Sequence, residues 1–267
     1  MAFGEAALIR GLISDEEWAC LEPFVIERGP RSGRRPRNHR LVVDGIFWIA
    51  RTGVAWRDLH EHFGKWSSVY RQFRRWTLSG LWELLLEAFN DSGGGNPSLQ
   101  MIDSTIIRAH QCSAGAKRGT PRQGLGRSKG GFTTKIHLRI NAMGLPIAFA
   151  LTGGEVSDYR GYQPVMDADG PAPSVLLADK GYDADFIRED MEKRGGVAMI
   201  PTKRNRLIQL PVDPAIYALR NMVERCFNKL KNARRLATRY DKTADSYLGF
   251  IHIVSIRLWM RQFVNAS

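Results

Sequence analysis

Two short apolar runs, Ser98–Asp103 (SLQMID) and Ser174–Asp179 (SVLLAD), each end in an aspartate. Runs of this length and make-up read as buried strands. In open sheets covered by helices, ligands gather at strand ends. One acid after a strand usually caps a turn, but two of the same form prompt a search for a third. The chain around them alternates in kind. TTKIHLRI and LPIAFAL flank NAMG as a hairpin-like pair. A helix is expected near Tyr159–Met166, and another over Asp183–Gly196, closed by glycine. VAMI is a short strand stopped by Pro201. Asp213 and Pro214 supply the N-cap and first position of a further helix, and Thr243–Phe263 is a mostly apolar one. This order predicts an α/β fold, a mixed sheet covered by helices.

Upstream, the pattern is helical. Three glycines and Pro97 within Asn90–Ser98 (NDSGGGNPS) mark a linker. It divides the chain into an all-α part, residues 1–92, and an α/β part, residues 93–267. Ser14 and Glu17 form a capping box for a helix through about Ile26. LVVDGIFWIARTG reads as a helix ending at Gly53. AWRDLHEHFGKWSSVYRQFRRW then reads as a short helix, a turn at Gly64 and a second helix from Ser67 to Trp76. Val69, Phe73 and Trp76 would face a core, leaving Arg71, Arg74 and Arg75 on the surface. The arrangement is helix-turn-helix-like, and its second helix would enter a major groove with those arginines as DNA contacts. Plain three-helix packing is the alternative. His60 and His62 lack a third metal-type neighbour and read as a polar turn.

The charge favours a polyanionic partner. The net charge is +12 and the pI near 10, which suits nucleic acid. Six arginines lie between Arg28 and Arg40, a basic arm or a solvated connector. Ser104–Lys135 holds seven Lys and Arg and no acid, and its glycine-rich middle is expected to order on DNA. GLGRSKGG lacks the ending of a phosphate loop, so no nucleotide cofactor is expected. Cys20, Cys112 and Cys226 form no metal or disulfide pattern. A cytoplasmic protein is expected, with no signal peptide and no membrane span.

The third acid comes from the helix expected after Asp213. In YALRNMVERCFNKLKNARR, Glu224 is the one carboxylate among many Lys and Arg residues. At helical pitch, Tyr217, Arg220, Glu224 and Lys231 fall within an arc of about 60°. Leu219, Val223, Cys226, Phe227 and Leu230 occupy the adjoining arc, toward the core. An ion pair of Glu224 with Arg220 accounts for those two residues, but not for their alignment with Tyr217 and Lys231. Three carboxylates brought together repel unless cations lie between them. Mg²⁺ suits such a site, and two ions about 4 Å apart can promote in-line displacement at phosphorus.

At these residues the chain resembles the DDE transposases of bacterial insertion sequences, in the branch typified by insertion sequence five. Tyr217, Arg220, Glu224 and Lys231 match that branch's Tyr-x2-Arg-x3-Glu-x6-Lys signature. ADKGYD and MIDSTIIRAH resemble its motifs around the second and first acids. The likeness extends over about Leu41–Phe263. It implies an RNase H-like catalytic domain after a small DNA-binding domain. It also implies a catalytic metal site of Asp103, Asp179 and Glu224, holding Mg²⁺ or Mn²⁺, with two ions expected. Arg220 and Lys231 would hold DNA near the cleaved phosphate, with Tyr217 at the same end. The partners implied are terminal inverted repeats, target DNA and a second copy of the chain in a synaptic dimer. Asp158, Asp183 and Asp185 read as caps, although Asp158 could reach the metal site. The rival readings are a nuclease that cuts without joining and a helix-turn-helix repressor.

Overall fold

The computed structural model describes residues 12–25, 38–93, 98–113 and 123–266. Most of the basic arm, the centre of the linker and residues 114–122 of the basic loop lie outside them. The fold opens with helices α1 (Asp15–Val25), α2 (His39–Thr52), α3 (Trp66–Leu78) and α4 (Leu81–Ser92). Strands β1 (Leu99–Ala109), β2 (Gly126–Ser128), β3 (Gly131–Asn141) and β4 (Pro146–Gly153) follow. Next come α5 (Tyr162–Met166), β5 (Val175–Leu177), α6 (Asp185–Lys193), β6 (Val197–Met199), α7 (Pro214–Ala218) and α8 (Asn221–Lys231). The chain ends with α9 (Arg234–Ala237), β7 (Thr238–Arg239) and α10 (Ala244–Ala266).

Local chemistry sets several boundaries. Ser14 and Glu17 cap reciprocally: Glu17 N donates to Ser14 Oγ at 3.1 Å, and Ser14 N donates to Glu17 Oε2 at 3.0 Å. Helix α2 ends at Gly53, whose φ of 71° suits a residue without Cβ. The expected short helix before Gly64 is instead two 3₁₀ turns, Trp56–Asp58 and Glu61–Phe63. In the second, His62 N donates to His60 Nδ1.

The sheet is mixed. β3 pairs antiparallel with β1 on one edge and with β2 and β4 on the other. On its far edge β1 pairs parallel with β5 at Leu99–Met101 and with β7 at Arg108–Ala109. β6 then pairs parallel with β5. Alternation along β1 sends Met101 into one core and Ile102 into the other.

On one face lie α5 and α6, packed through Tyr162, Val165, Ile187 and Met191. The opposite face carries α8 and α10, and the four N-terminal helices join the same core. Helix α10 is buried along much of its length. Phe250 stacks on Phe73 of α3 at 4.6 Å, and Trp259 Nε1 donates to Pro146 O at 2.8 Å. Arg74 of α3 donates to Ser246 Oγ at 2.7 Å. Helices from before and after the linker thus share one core around α10. Among the described residues, no helix is long and apolar enough to cross a membrane.

Phe250→Ala removes a fully buried ring between α3 and α9. It should lower the unfolding free energy by about 3–5 kcal/mol. Denaturant titration checks this, and the shared core predicts one cooperative transition.

Candidate active site

Asp103 lies in the middle of β1, not at the end of a strand. Residues 104–109 continue the strand because Thr105, Ile106 and Ile107 keep pairing with β3. It is the parallel neighbour that stops. β5 ends beside Met101, and β7 takes up the edge only at Arg108. Asp103 therefore faces an opening between two short strands. The chain leaves β5 through Ala178 into Asp179. There Asp179 Oδ1 accepts from Gly181 N at 2.8 Å and caps a 3₁₀ turn over Lys180–Tyr182.

Glu224 arrives from the helical segment expected to be continuous from Asp213. The Asp213 cap is present, with Oδ1 accepting from Ala215 N and Ile216 N. The helix, however, breaks at Leu219–Arg220 into α7 and α8. Backbone bonds there tighten: Arg220 N donates to Tyr217 O and Val223 N to Arg220 O. Leu219, expected in the core, is 42% exposed for this reason, while Val223, Cys226, Phe227 and Leu230 are buried.

The Arg220 guanidinium joins the acids. Nη1 donates to Asp103 Oδ2 at 3.1 Å, and Nη2 pairs with Glu224 Oε1. Tyr217 packs its ring 5.9 Å from the Arg220 guanidinium carbon. Lys231, on the last turn of α8, donates to Thr105 Oγ1 of β1 at 2.8 Å. Tyr217, Arg220, Glu224 and Lys231 thus converge on the Asp103–Thr105 stretch. Burial pushes the Asp103 pKa up to about 6; Asp179 and Glu224 add to the rise, while Ser104 N and Arg220 oppose it.

Arg71 and Arg75 are exposed on α3, whereas Arg74 is half-buried in its bond to Ser246. Of the three further acids, Asp183 and Asp185 are not simple caps. Asp183 is buried and pairs with Arg188 and Arg206, and Asp185 pairs with Arg206. Asp158 accepts from Ser104 Oγ at 2.5 Å and from Lys135 Nζ at 2.7 Å. The sequence showed these three residues but not their meeting, which depends on the β1–β3 register. Lys135, one of two cations with Arg139 in the β3 run, was the available signal.

Asp103, Asp179 and Glu224 offer only oxygen donors, the set that suits a hard divalent cation. Arg220 supplies positive charge between two of them, where a cation would lie. Among the described residues, no three His, Cys, Asp or Glu side chains are already gathered around one point.

Residues 94–259 match the model of the transposase DDE domain, and residues 13–86 match that of a putative transposase of the IS4/5 family. The chain belongs to the DDE transposase family, in its IS4/5 type. It is 32% identical over 134 residues to a putative transposase for insertion sequence element IS6501 of Brucella ovis, covering 48% of this chain and 99% of that one. It is 39% identical over 107 residues to the uncharacterized protein y4sN of Sinorhizobium fredii, covering 40% and 83%. Among solved structures it resembles the piggyBac transposase synaptic complex with hairpin DNA (TM-score 0.42, 10% identity, 98% of this chain and 75% of that one). It also resembles a pre-cleavage Mos1 transpososome (TM-score 0.26, 10% identity, 89% and 81%).

Asp103 also sets a pH dependence. Its folded pKa lies above its unfolded value, so its contribution to stability is full below pH 4 and is lost as pH rises through 6. In metal-free protein, Asp103→Asn should abolish that loss, worth up to about 3 kcal/mol. Denaturant midpoints of the two proteins between pH 4 and 7 measure it.

Proposed function

We propose that this chain is the transposase of an insertion sequence in the branch typified by insertion sequence five. It would bind the element's terminal inverted repeats, cut there, and join the freed 3′-hydroxyl to target DNA. The observation that carries this reading is the Arg220 fork: one guanidinium ties an acid on β1 to an acid on α8, beside the turn that bears Asp179.

Asp103, Asp179 and Glu224 would hold two divalent cations, Mg²⁺ or Mn²⁺. When bound, these supply charge neutralisation at the attacking and leaving oxygens of a phosphodiester. The chain's own residues do the positioning. Arg220, once displaced from the carboxylates, can turn its planar fork to a phosphate. Lys231 lies one strand step beyond Asp103 and places a second cation along the DNA. Tyr217 flanks Arg220 and limits the directions it can take.

An RNase H-like catalytic domain over residues 93–267 is supported by the sheet, an antiparallel triplet whose β1 edge adds parallel β5 and β6. Residues 1–92 would form the DNA-binding unit. Arg71 and Arg75 are open to phosphate, and Arg74 would have to leave Ser246. Handling two ends together calls for a dimer, which gives each end one cation site.

A strand-transfer assay tests the proposal. Labelled DNA ending in the element's repeat is incubated with plasmid and Mg²⁺ or Mn²⁺. Wild-type protein should give joined products. Asp103→Ala, Asp179→Ala and Glu224→Gln should each reduce them by at least about a thousandfold, since charge stabilisation dominates such chemistry. Cut but unjoined ends would point to a nuclease, and equal activity in the variants would remove the carboxylates from the mechanism.

A further inference from the structure

Beneath Asp103, on the other side of the sheet, lies a second polar cluster. Asp103 and Thr105 face α8, through their bonds with Arg220 and Lys231. Ser104, between them, faces the opposite way. Its hydroxyl donates to Asp158 Oδ1 at 2.5 Å. Asp158 follows β4 and opens a 3₁₀ turn over Asp158–Gly161. Lys135, two residues from the strand partner of Ser104, donates its Nζ to the same Asp158 oxygen at 2.7 Å. Only 8% of the Lys135 side chain is exposed, so its charge is committed to this contact and to Val156 O.

The other oxygen of Asp158 lies near the second catalytic segment. A Cβ at Gly181 would come 3.1 Å from Asp158 Oδ2 and 2.8 Å from Asp179 Oδ1. The two carboxylates therefore flank one glycine, the residue whose N–H caps Asp179. Tyr182, next in the chain, is fully buried, and its hydroxyl lies beside Ser104, the same residue that Asp158 anchors. Burial first, then the charges of Asp103, Asp158 and Asp179, raise its pKa well above the usual range, and the Ser104 hydroxyl opposes them. Burial raises the Asp158 pKa, but Lys135 and Ser104 outweigh it and hold the carboxyl below its ordinary value.

We infer that Asp158 is a positioning residue of the active site: held by Lys135, it anchors Ser104 on β1 and backs the Gly181 turn, fixing Asp103 and Asp179 relative to one another. This rests on reading Asp103, Asp179 and Glu224 as the cation site. Asp158 acts through its neighbours. Its anchor, Ser104, points away from the face on which Asp103 meets Arg220, and its own charge is spent on Lys135. Partners that orient metal-binding carboxylates from behind carry a large share of a site's affinity, about 10–100-fold.

Titration with Mn²⁺, read as the loss of the free-ion spin-resonance signal, tests this without DNA. Asp158→Ala should weaken Mn²⁺ binding about 10–100-fold. Asp158→Asn keeps an acceptor for Ser104 and should lose less. Lys135→Met with Asp158→Asn carries no unpaired buried charge, so it keeps the test open should Asp158→Ala fail to fold; it too should bind Mn²⁺ at least about fivefold more weakly than wild type. Single-turnover cleavage should fall in step, with DNA affinity within about twofold. Wild-type Mn²⁺ affinity in the Asp158 variants, alongside its loss in Asp103→Ala, would overturn the inference and leave the cation site standing. Wild-type affinity in Asp103→Ala would overturn the site and the inference together.

Discussion

Three carboxylates cannot approach one another at neutral pH unless positive charge lies between them. In this chain Arg220 provides it, bonded to Asp103 on β1 and to Glu224 on α8. Much of the surrounding structure serves that contact. The break between α7 and α8 places Arg220 at a tightened turn within reach of β1. The short reach of β5 leaves Asp103 paired only with Leu138 of β3, with no strand on its other side.

The cores explain how these pieces keep their places. Val223, Cys226, Phe227 and Leu230 fix one side of α8 in the core shared with α10 and the N-terminal helices. Glu224 and Lys231 are left on the side that meets β1. On the other face, Tyr162, Tyr182 and Ile187 pack beneath β5 and hold the Asp179 turn. Asp179 and Glu224 thus belong to opposite layers, and both act on Asp103, on the strand between them. Losing either layer would separate the acids, which ties the site to global stability.

Much of this was legible in the sequence, because its signals are local. The Ser14–Glu17 box, the Gly53 stop and the Asp213 cap are decided within a few residues. The aspartates after Met101-Ile102 and Leu177-Ala178 stood out because an acid ending an apolar run is a local contrast. What could not be read depends on pairing. The continuation of β1 past Asp103, the additions of β2 and β7, and the meeting of Lys135 with Asp158 follow from the register of β1 on β3. The break at Leu219 was hidden because the segment around it has a good helical pattern. Only the pull of Arg220 toward a distant strand distinguishes it.

We propose that Asp103, Asp179 and Glu224 share one cation site. The most direct measurement is localised cleavage of the protein backbone by Fe²⁺ bound in place of Mg²⁺, with ascorbate and peroxide as reagents. The account predicts cuts clustered near residues 103, 179 and 224, suppressed by excess Mg²⁺ and absent in Asp103→Ala. Cuts scattered elsewhere, or unchanged by that substitution, would contradict it.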